Sequence, residues 1–136
     1  MADIGKTRAS LRIFGTDLLP EEITTLLGCS PSKSAKAGDI DPRHKRETRI
    51  VKEGFWLLAS DEGDDSCLEK KVETLLDKLT SDLDVWKQLT SKYKVDIFCG
   101  LFLNELNEGF DISPALLKKL GDRNLKIDFD IYSGYD

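Results

Sequence analysis

The chain has 136 residues, of which 40% are hydrophobic and 33% charged, and a net charge of −5; these values are typical of one ordered globular domain. Residues 1–60 carry a charge of +2 and residues 61–136 a charge of −7. This acidic balance disfavours nucleic acid as a partner, because nucleic-acid binding needs a concentrated basic surface. We expect a single domain over residues 1–136, with residues 1–5 disordered.

The first predicted elements are a strand and a capped helix. Residues 7–13 alternate apolar and polar side chains, which is the period of a half-buried strand. A helix is predicted over Pro20–Leu27, since proline suits a first helical position and Gly28 suits the left-handed residue after the last one. Gly15 marks a sharp turn between strand and helix, and we expect its backbone to be left-handed, as at Gly28.

The middle of the chain is polar and poor in regular periodicity. Residues 32–47 contain almost no apolar side chains and are predicted to form a long mobile loop. Thr48–Lys52 and Phe55–Ser60 then suggest the two strands of a hairpin that turns at Glu53-Gly54. Residues 61–65 form an acidic turn.

The second half of the chain predicts helices and strands in alternation. Apolar side chains at helical spacing indicate the helices, an apolar run indicates an inner strand, and strict alternation indicates a final one. The helices are predicted at residues 68–79, 81–93 and 114–121, and the strands at residues 95–103 and 125–131.

The resulting order, β-α-β-β-α-(α)-β-α-β, predicts an α+β two-layer sandwich. In this arrangement a mixed, mainly antiparallel sheet is covered by helices on one face. The first six elements follow a ferredoxin-like order, to which a helix and a strand are appended. Trp56 and Trp86 are predicted to anchor the core.

The cysteines and the apolar runs indicate a soluble protein of a reducing compartment. Cys29, Cys67 and Cys99 are an odd number at wide spacing, which fits neither a disulfide framework nor a zinc motif. No apolar run reaches the roughly 20 residues of a membrane helix, and residues 1–6 lack the apolar core of a signal peptide. We expect a cytoplasmic protein with no membrane contact, no metal and no cofactor.

The basic part of the polar loop is the first candidate contact site. Its members, which offer charge-assisted hydrogen bonds to a phosphate or an acidic partner, are Lys36, Arg43, His44 and Arg46. His44 is the only histidine, but no partner that would orient it as a base is visible, so no catalytic residue is assigned. The alternative is a solvated mobile loop.

Two acidic sets are further candidates. The turn supplies Asp61, Glu62, Asp64 and Asp65, and the final strand projects Asp128, Asp130 and Tyr132 from one face. Carboxylates two residues apart on a strand are about 7 Å apart, a spacing that suits glycoside hydrolysis. The alternatives are a solvated turn and a charged sheet edge that resists aggregation.

Three segments, FGTDLLPEEITTLLGCSPSKSAKAGD, FWLL and IDFDIY, resemble a bacterial family known as domain of unknown function 4279. The resemblance covers roughly residues 7–132 and rests mostly on structural residues. It implies a fold but brings no catalytic residue. Small bacterial proteins of this kind include suspected immunity partners of toxins, so the resemblance implies an immunity-type inhibitor as one candidate role.

Two functional hypotheses follow. The leading one is a non-enzymatic protein-interaction module, a monomer or homodimer, that contacts a protein partner through its acidic surface and the 32–47 loop. The alternative is a module that binds a small anionic ligand, or acts weakly on it, through the basic residues of that loop.

Overall fold

The computed structural model describes residues 2–4 and 6–133. The strands are β1 (Ala2–Asp3), β2 (Lys6–Gly15), β3 (Lys33–Ala35), β4 (Gly54–Ala59), β5 (Lys94–Phe102), β6 (Glu108–Gly109) and β7 (Lys126–Tyr132). The helices are α1 (Pro20–Leu27), α2 (Leu68–Asp77), α3 (Leu83–Lys92) and α4 (Pro114–Asp122).

The main sheet has five strands in the order β3-β4-β2-β5-β7. The pairs β3–β4, β4–β2 and β2–β5 are antiparallel, whereas β5 and β7 are parallel. The four strands β3, β4, β2 and β5 have the order and directions of a ferredoxin-like sheet. Helix α4 then leads to the added strand β7. The predicted α+β class and mixed sheet are therefore confirmed.

A second, parallel pair joins β1 to β6. The structure thus places Ala2–Asp3 in a strand, within the segment where the sequence predicts disorder. Met1 and Gly5 of that segment lie outside the described residues.

All four helices pack against one face of the sheet. Side chains from α1, α2, α3 and α4 share a single buried cluster with the odd-numbered residues of β2, which alternate toward that face. Trp56 and Trp86 are fully buried in it. Each indole N–H is satisfied, by Thr24 Oγ1 at 3.0 Å and by the Thr80 carbonyl at 2.8 Å, so both predicted anchors are confirmed.

The ends of the helices agree only partly with the sequence patterns. Gly28 has φ of 74°, as predicted for the residue after α1. Gly15 has no positive φ; a Cβ there would lie 2.5 Å from the ring of Tyr93, so the turn needs space rather than an unusual backbone. The last helix runs past Gly121, and Asn124, with φ of 56°, turns the chain toward β7 instead.

The predicted hairpin between Thr48–Lys52 and Phe55–Ser60 is wrong. The strand beside β4 is β3, and the segment near Ile50 returns instead to Ile40, with which it forms a single bridge. This arrangement follows from the two buried faces of β4. Trp56 faces the helices, so Phe55 needs cover on the other face, and Val51 supplies it.

Candidate functional site

The sequence-predicted site residues separate to different parts of the sheet. The acidic turn follows β4 and lies near the beginning of β2, where Asp130 and Tyr132 of β7 also end their strand. Arg43 and His44 lie near Phe14, at the opposite end of β2. The acidic and basic candidates therefore do not form one site.

Residues 36–52, here called the basic ribbon, fold back on themselves over the face of the sheet that the helices leave free. The Gly38 N–H donates to the Val51 carbonyl at 2.8 Å, and the Val51 N–H donates to the Asp39 carbonyl at 2.8 Å. The Asp41 N–H donates to the Arg49 carbonyl at 2.7 Å. Part of the predicted loop is thus built into paired backbone, and its mobility stays a prediction.

One ion pair within the basic ribbon joins Asp41 to Arg43, and its arginine contacts the sheet through the ring of Phe55. Asp41 is buried and accepts hydrogen bonds from Nε and Nη2 of Arg43, at 2.9 and 2.8 Å. The Arg43 guanidinium also lies 3.9 Å from the centre of the Phe55 ring, a cation–π arrangement. The hydrogen bond from Arg43 lowers the pKa of Asp41 to about 2.

A cleft of about 620 Å³ opens beside this pair, between the basic ribbon and β2. Its basic lining residues are Arg43, His44, Arg49 and Lys52, its apolar ones Phe14 and Ile50, and its acidic ones Asp41 and Glu53. His44 Nε2 lies 3.8 Å from Asp41 Oδ2. The structure thus brings Arg43 and His44 together with Arg49 and Lys52.

Lys36 and Arg46 are not among the residues that line this cleft. Lys36 lies by a separate cavity of about 500 Å³, whose lining includes Glu21 and Glu22 at the start of α1. The predicted set of four basic contact residues is therefore divided by the fold.

The acidic turn surrounds a small cavity of about 180 Å³. Its lining includes Asp61, Glu62, Asp64 and Asp65 together with Lys6, Arg8 and Lys71. Lys71 is only 4% exposed, and its ammonium donates to the Thr7 carbonyl at 2.6 Å and to Thr7 Oγ1 at 2.9 Å. Basic groups close to the turn therefore offset part of its negative charge.

The helix-free face of the sheet carries a second ion-pair cluster, centred on Arg12. Its Nε and Nη2 donate to Oδ1 and Oδ2 of Asp96 at 2.8 and 2.7 Å, and Nη2 lies 3.7 Å from Asp128. The guanidinium stands 4.1 Å from the centre of the Phe98 ring. Burial raises the pKa of Asp96, whereas a hydrogen bond with Asp96 lowers the pKa of Asp128.

The carboxylates of Asp128 and Asp130 consequently have different partners. Asp128 interacts with Asp96, Arg12 and Lys126, while Asp130 accepts a hydrogen bond from the Tyr132 hydroxyl at 2.5 Å. Arg12 lies between the carboxylates of Asp96 and Asp128, at 2.7 and 3.7 Å. The glycosidase interpretation of Asp128 and Asp130 stays a prediction.

The outer edge of β7, the strand that carries Asp128 and Asp130, is open. Among the described residues, no strand pairs with that edge. Phe129 is 41% exposed and Ile131 56%, and the ring of Phe110 lies 5.3 Å from that of Phe129. Apolar side chains on an unpaired edge strand are unusual, because such edges promote association with other chains.

The backbone of β7 presents alternate residues to this edge. The Tyr132 carbonyl accepts from the Leu103 N–H at 2.9 Å, so the polar groups of Tyr132 face β5. The N–H and C=O of one residue point to the same side of a strand and alternate along it. The backbone groups of Phe129 and Ile131 therefore face outward, away from β5.

Sequence reasoning missed the Arg12–Asp96 pair, the buried Asp41 and the buried Lys71. Arg12 and Asp96 lie on the polar phase of their strands, but they are 84 positions apart, and only the register of β2 with β5 joins them. Asp41 precedes a proline in a polar run, and nothing local indicates its burial.

The remaining groups to consider are the three thiols and the side chains that could bind a metal ion. All three cysteines are free, and burial raises the pKa of Cys99 to about 12. Within residues 2–4 and 6–133, no group of three or more His, Cys, Asp or Glu side chains is arranged to hold a metal ion. None of the helices in that part of the chain has the length and apolar character to cross a membrane.

The described residues form a small α+β domain with two internally paired ion clusters and an unpaired outer edge along β7. The chain belongs to the family described as domain of unknown function DUF4279, whose model matches residues 5–134. No curated protein and no solved structure matches the chain.

Proposed function

We propose that this protein is a non-enzymatic interaction module that binds an extended segment of a protein partner along β7. The observation that carries the proposal is the unpaired outer edge of this seven-residue strand, with the exposed side chains of Phe129 and Ile131 beside it. Addition of a strand to such an edge combines main-chain hydrogen bonds with pockets or surfaces for alternate side chains.

The side chains of β7 define the chemistry of the added segment. Phe129 and Ile131 lie on one face of the strand, and Asp128 and Asp130 lie on the other. Cross-strand neighbours stabilise a sheet when apolar meets apolar and acid meets base. The matching partner segment therefore alternates apolar residues with lysine or arginine.

A second copy of this chain is a poorer match. If two β7 strands overlapped along their whole length in antiparallel fashion, Phe129 would face Phe129 of the other copy. The same register would place each Asp128 opposite an Asp130, and like charges directly opposite are unfavourable. We therefore favour a different protein as partner over a homodimer.

The acidic turn fits this proposal in a supporting role. Asp61, Glu62, Asp64 and Asp65 lie at the end of the sheet where β7 ends, although nearby basic groups offset part of their charge. Charges near an interface mainly raise the association rate of an oppositely charged partner. Association should therefore slow as salt is added, because exposed charges are screened beyond roughly 8–10 Å at physiological ionic strength.

The biological setting is also a proposal. An immunity-type inhibitor of a toxin is one role for such a module, supported only by the resemblance described above. A reducing compartment such as the cytoplasm is consistent with three free cysteines.

The test compares two substitutions at Ile131 in affinity capture, with the captured protein identified and then titrated. Ile131→Pro removes an N–H that faces outward, so the ladder with β5 is kept, and proline is tolerated on such an edge. Ile131→Thr keeps the N–H and removes only part of the apolar contact. We expect Ile131→Pro to abolish capture and Ile131→Thr to weaken it.

The proposal would be overturned if Ile131→Pro bound the same partner as well as the parent does. Circular dichroism and a thermal melt of each variant serve as the folding control. Reversal of the charge at Asp130 provides a second readout, because Asp130 lies outside the Arg12 cluster and contacts the Tyr132 hydroxyl. It should weaken a basic partner even if the proline variant proved unstable.

A further inference from the structure

We propose that the cleft beneath the basic ribbon is a binding site for a small phosphomonoester with a flat apolar group. This site is separate from β7 and lies at the other end of the sheet. Its ligand class follows from three properties of the cleft: its charge, the fixed position of one arginine, and its apolar wall.

The charge of the cleft is opposite to that of the chain. A protein with a net charge of −5 places Arg43, Arg49 and Lys52 around one cavity, with His44 beside them. Asp41 pairs with Arg43 and Glu47 pairs with Arg49, at 2.8 and 2.7 Å, whereas Lys52 has no ion pair among the described residues. Three cationic side chains, Arg43, Arg49 and Lys52, thus line the cleft against the two carboxylates of Asp41 and Glu53. A local positive excess concentrates anions, so the cleft attracts an anion.

Arg43 is held in place before any ligand arrives. Asp41 engages its Nε and Nη2, and the ring of Phe55 lies against the guanidinium plane. Among the described residues Nη1 of Arg43 makes no hydrogen bond, so its two N–H groups remain for a ligand. A fixed guanidinium loses little conformational freedom on binding, which favours recognition of phosphate oxygens.

Several basic groups around one cavity match phosphate better than a carboxylate. A phosphomonoester carries close to two negative charges and three terminal oxygens that accept hydrogen bonds. Asp41 and Glu47 occupy Nε and Nη2 of the two arginines, which leaves Nη1 of Arg43 and of Arg49 and the Lys52 ammonium as donors. These donors come from separate points of the basic ribbon, so a ligand with several acceptor oxygens can engage more of them at once.

The apolar wall explains why the ligand should be more than inorganic phosphate. Phe14 and Ile50 line the same cleft, and Ile50 is 58% exposed. An exposed isoleucine next to an aromatic ring offers a surface that a flat apolar group can cover. The volume of about 620 Å³ is within the range of small-molecule sites.

The test uses phenyl phosphate as the probe, with inorganic phosphate and phenol as its two halves. Binding is followed by isothermal titration calorimetry and by the shift in melting temperature. We expect phenyl phosphate to bind at least about tenfold more tightly than either half, since the charged and apolar contacts act together. Equal binding of phenyl phosphate and inorganic phosphate would overturn the proposed apolar subsite.

A matched pair of double variants locates the site. Arg49→Gln with Lys52→Gln removes two charges from the cleft, and Lys33→Gln with Lys36→Gln removes two exposed charges outside it. We expect the first variant to weaken phenyl phosphate at least about tenfold and the second to leave it nearly unchanged. Equal losses in both would show a general charge effect and overturn the assignment.

Discussion

The two edges of the five-stranded sheet are treated in opposite ways. At one edge β3 has only three residues, and Ala35 packs with Val51 and Phe55 under the basic ribbon. At the other edge β7 has seven residues, and Ile131 is more than half exposed. Proteins commonly blunt sheet edges by shortening or covering them. Since β3 is short and its one apolar side chain is buried, the long β7 edge with its exposed apolar side chains calls for a functional explanation.

The first prediction compares the apolar side chains of the two edges. Phe55→Ala should lower the free energy of unfolding by about 3–5 kcal/mol, because it removes a fully buried ring that also supports Arg43. Phe129→Ala should lower it by less than about 1 kcal/mol, since the ring is 41% exposed. Urea denaturation followed by the fluorescence of the two tryptophans measures both values.

Similar losses in the two variants would remove the distinction between a protected and an open edge. A large loss in Phe129→Ala would show that Phe129 and Phe110 form a structural cluster. Only the backbone of β7 would then remain available to bind a partner.

The fold was predictable from sequence wherever a pattern was local. Alternation identified β2 and β7, and Asp82 and Ser113 cap their helices through side-chain hydrogen bonds to Asp84 and Leu116. By contrast, β3 has three residues and only one apolar side chain, too few to show a period. The sequence pattern therefore predicts Thr48–Lys52, rather than β3, as the strand beside β4.

The site was much less predictable than the fold. Arg43 and His44 were identified by charge, but their relation to Asp41 and Phe55 depends on how the basic ribbon folds over the sheet. The open edge at β7 depends on strand order, which no local pattern encodes. The sequence therefore indicates which residue types are available for a site, whereas the contacts between them follow only from the register of the strands.

The second prediction concerns the acid stability of the protected edge. Arg43 lowers the pKa of Asp41 to about 2 in the folded state, below the value of about 3.9 for an unfolded aspartate. A carboxyl with a lowered pKa stabilises the fold above the unfolded pKa, and this contribution is lost as the pH falls from there through the folded pKa.

Asp41→Asn should therefore be less stable than the parent at neutral pH, and the difference should shrink as the pH falls from about 5 toward 2. Thermal melts of both proteins across this range measure it. Asp39→Asn is the control, because Asp39 lies in the same ribbon, accepts a backbone hydrogen bond from Lys36 and forms no ion pair among the described residues. A pH-independent difference would show that the charge of Asp41 does not hold the ribbon.

The last prediction leaves the sequence unchanged and compares hydrogen exchange along the two edges. The N–H groups of Asp128 and Asp130 face β5, whereas those of Phe129 and Ile131 face outward. In the free protein we expect the outward pair to exchange on the order of 100-fold faster than the inward pair, because exposed amides need no opening of the sheet. In the basic ribbon, the amides of Gly38 and Val51 should exchange slowly and those of residues 45–48 fast. Slow exchange at Phe129 and Ile131 in a dilute monomer would mean that their N–H groups are already paired, and β7 would then have no free edge to offer. Slow exchange that appears only at high protein concentration would indicate a second copy on that edge. If these two amides become protected only when a partner is added, the contact along β7 is strand addition, and the protected positions give its register.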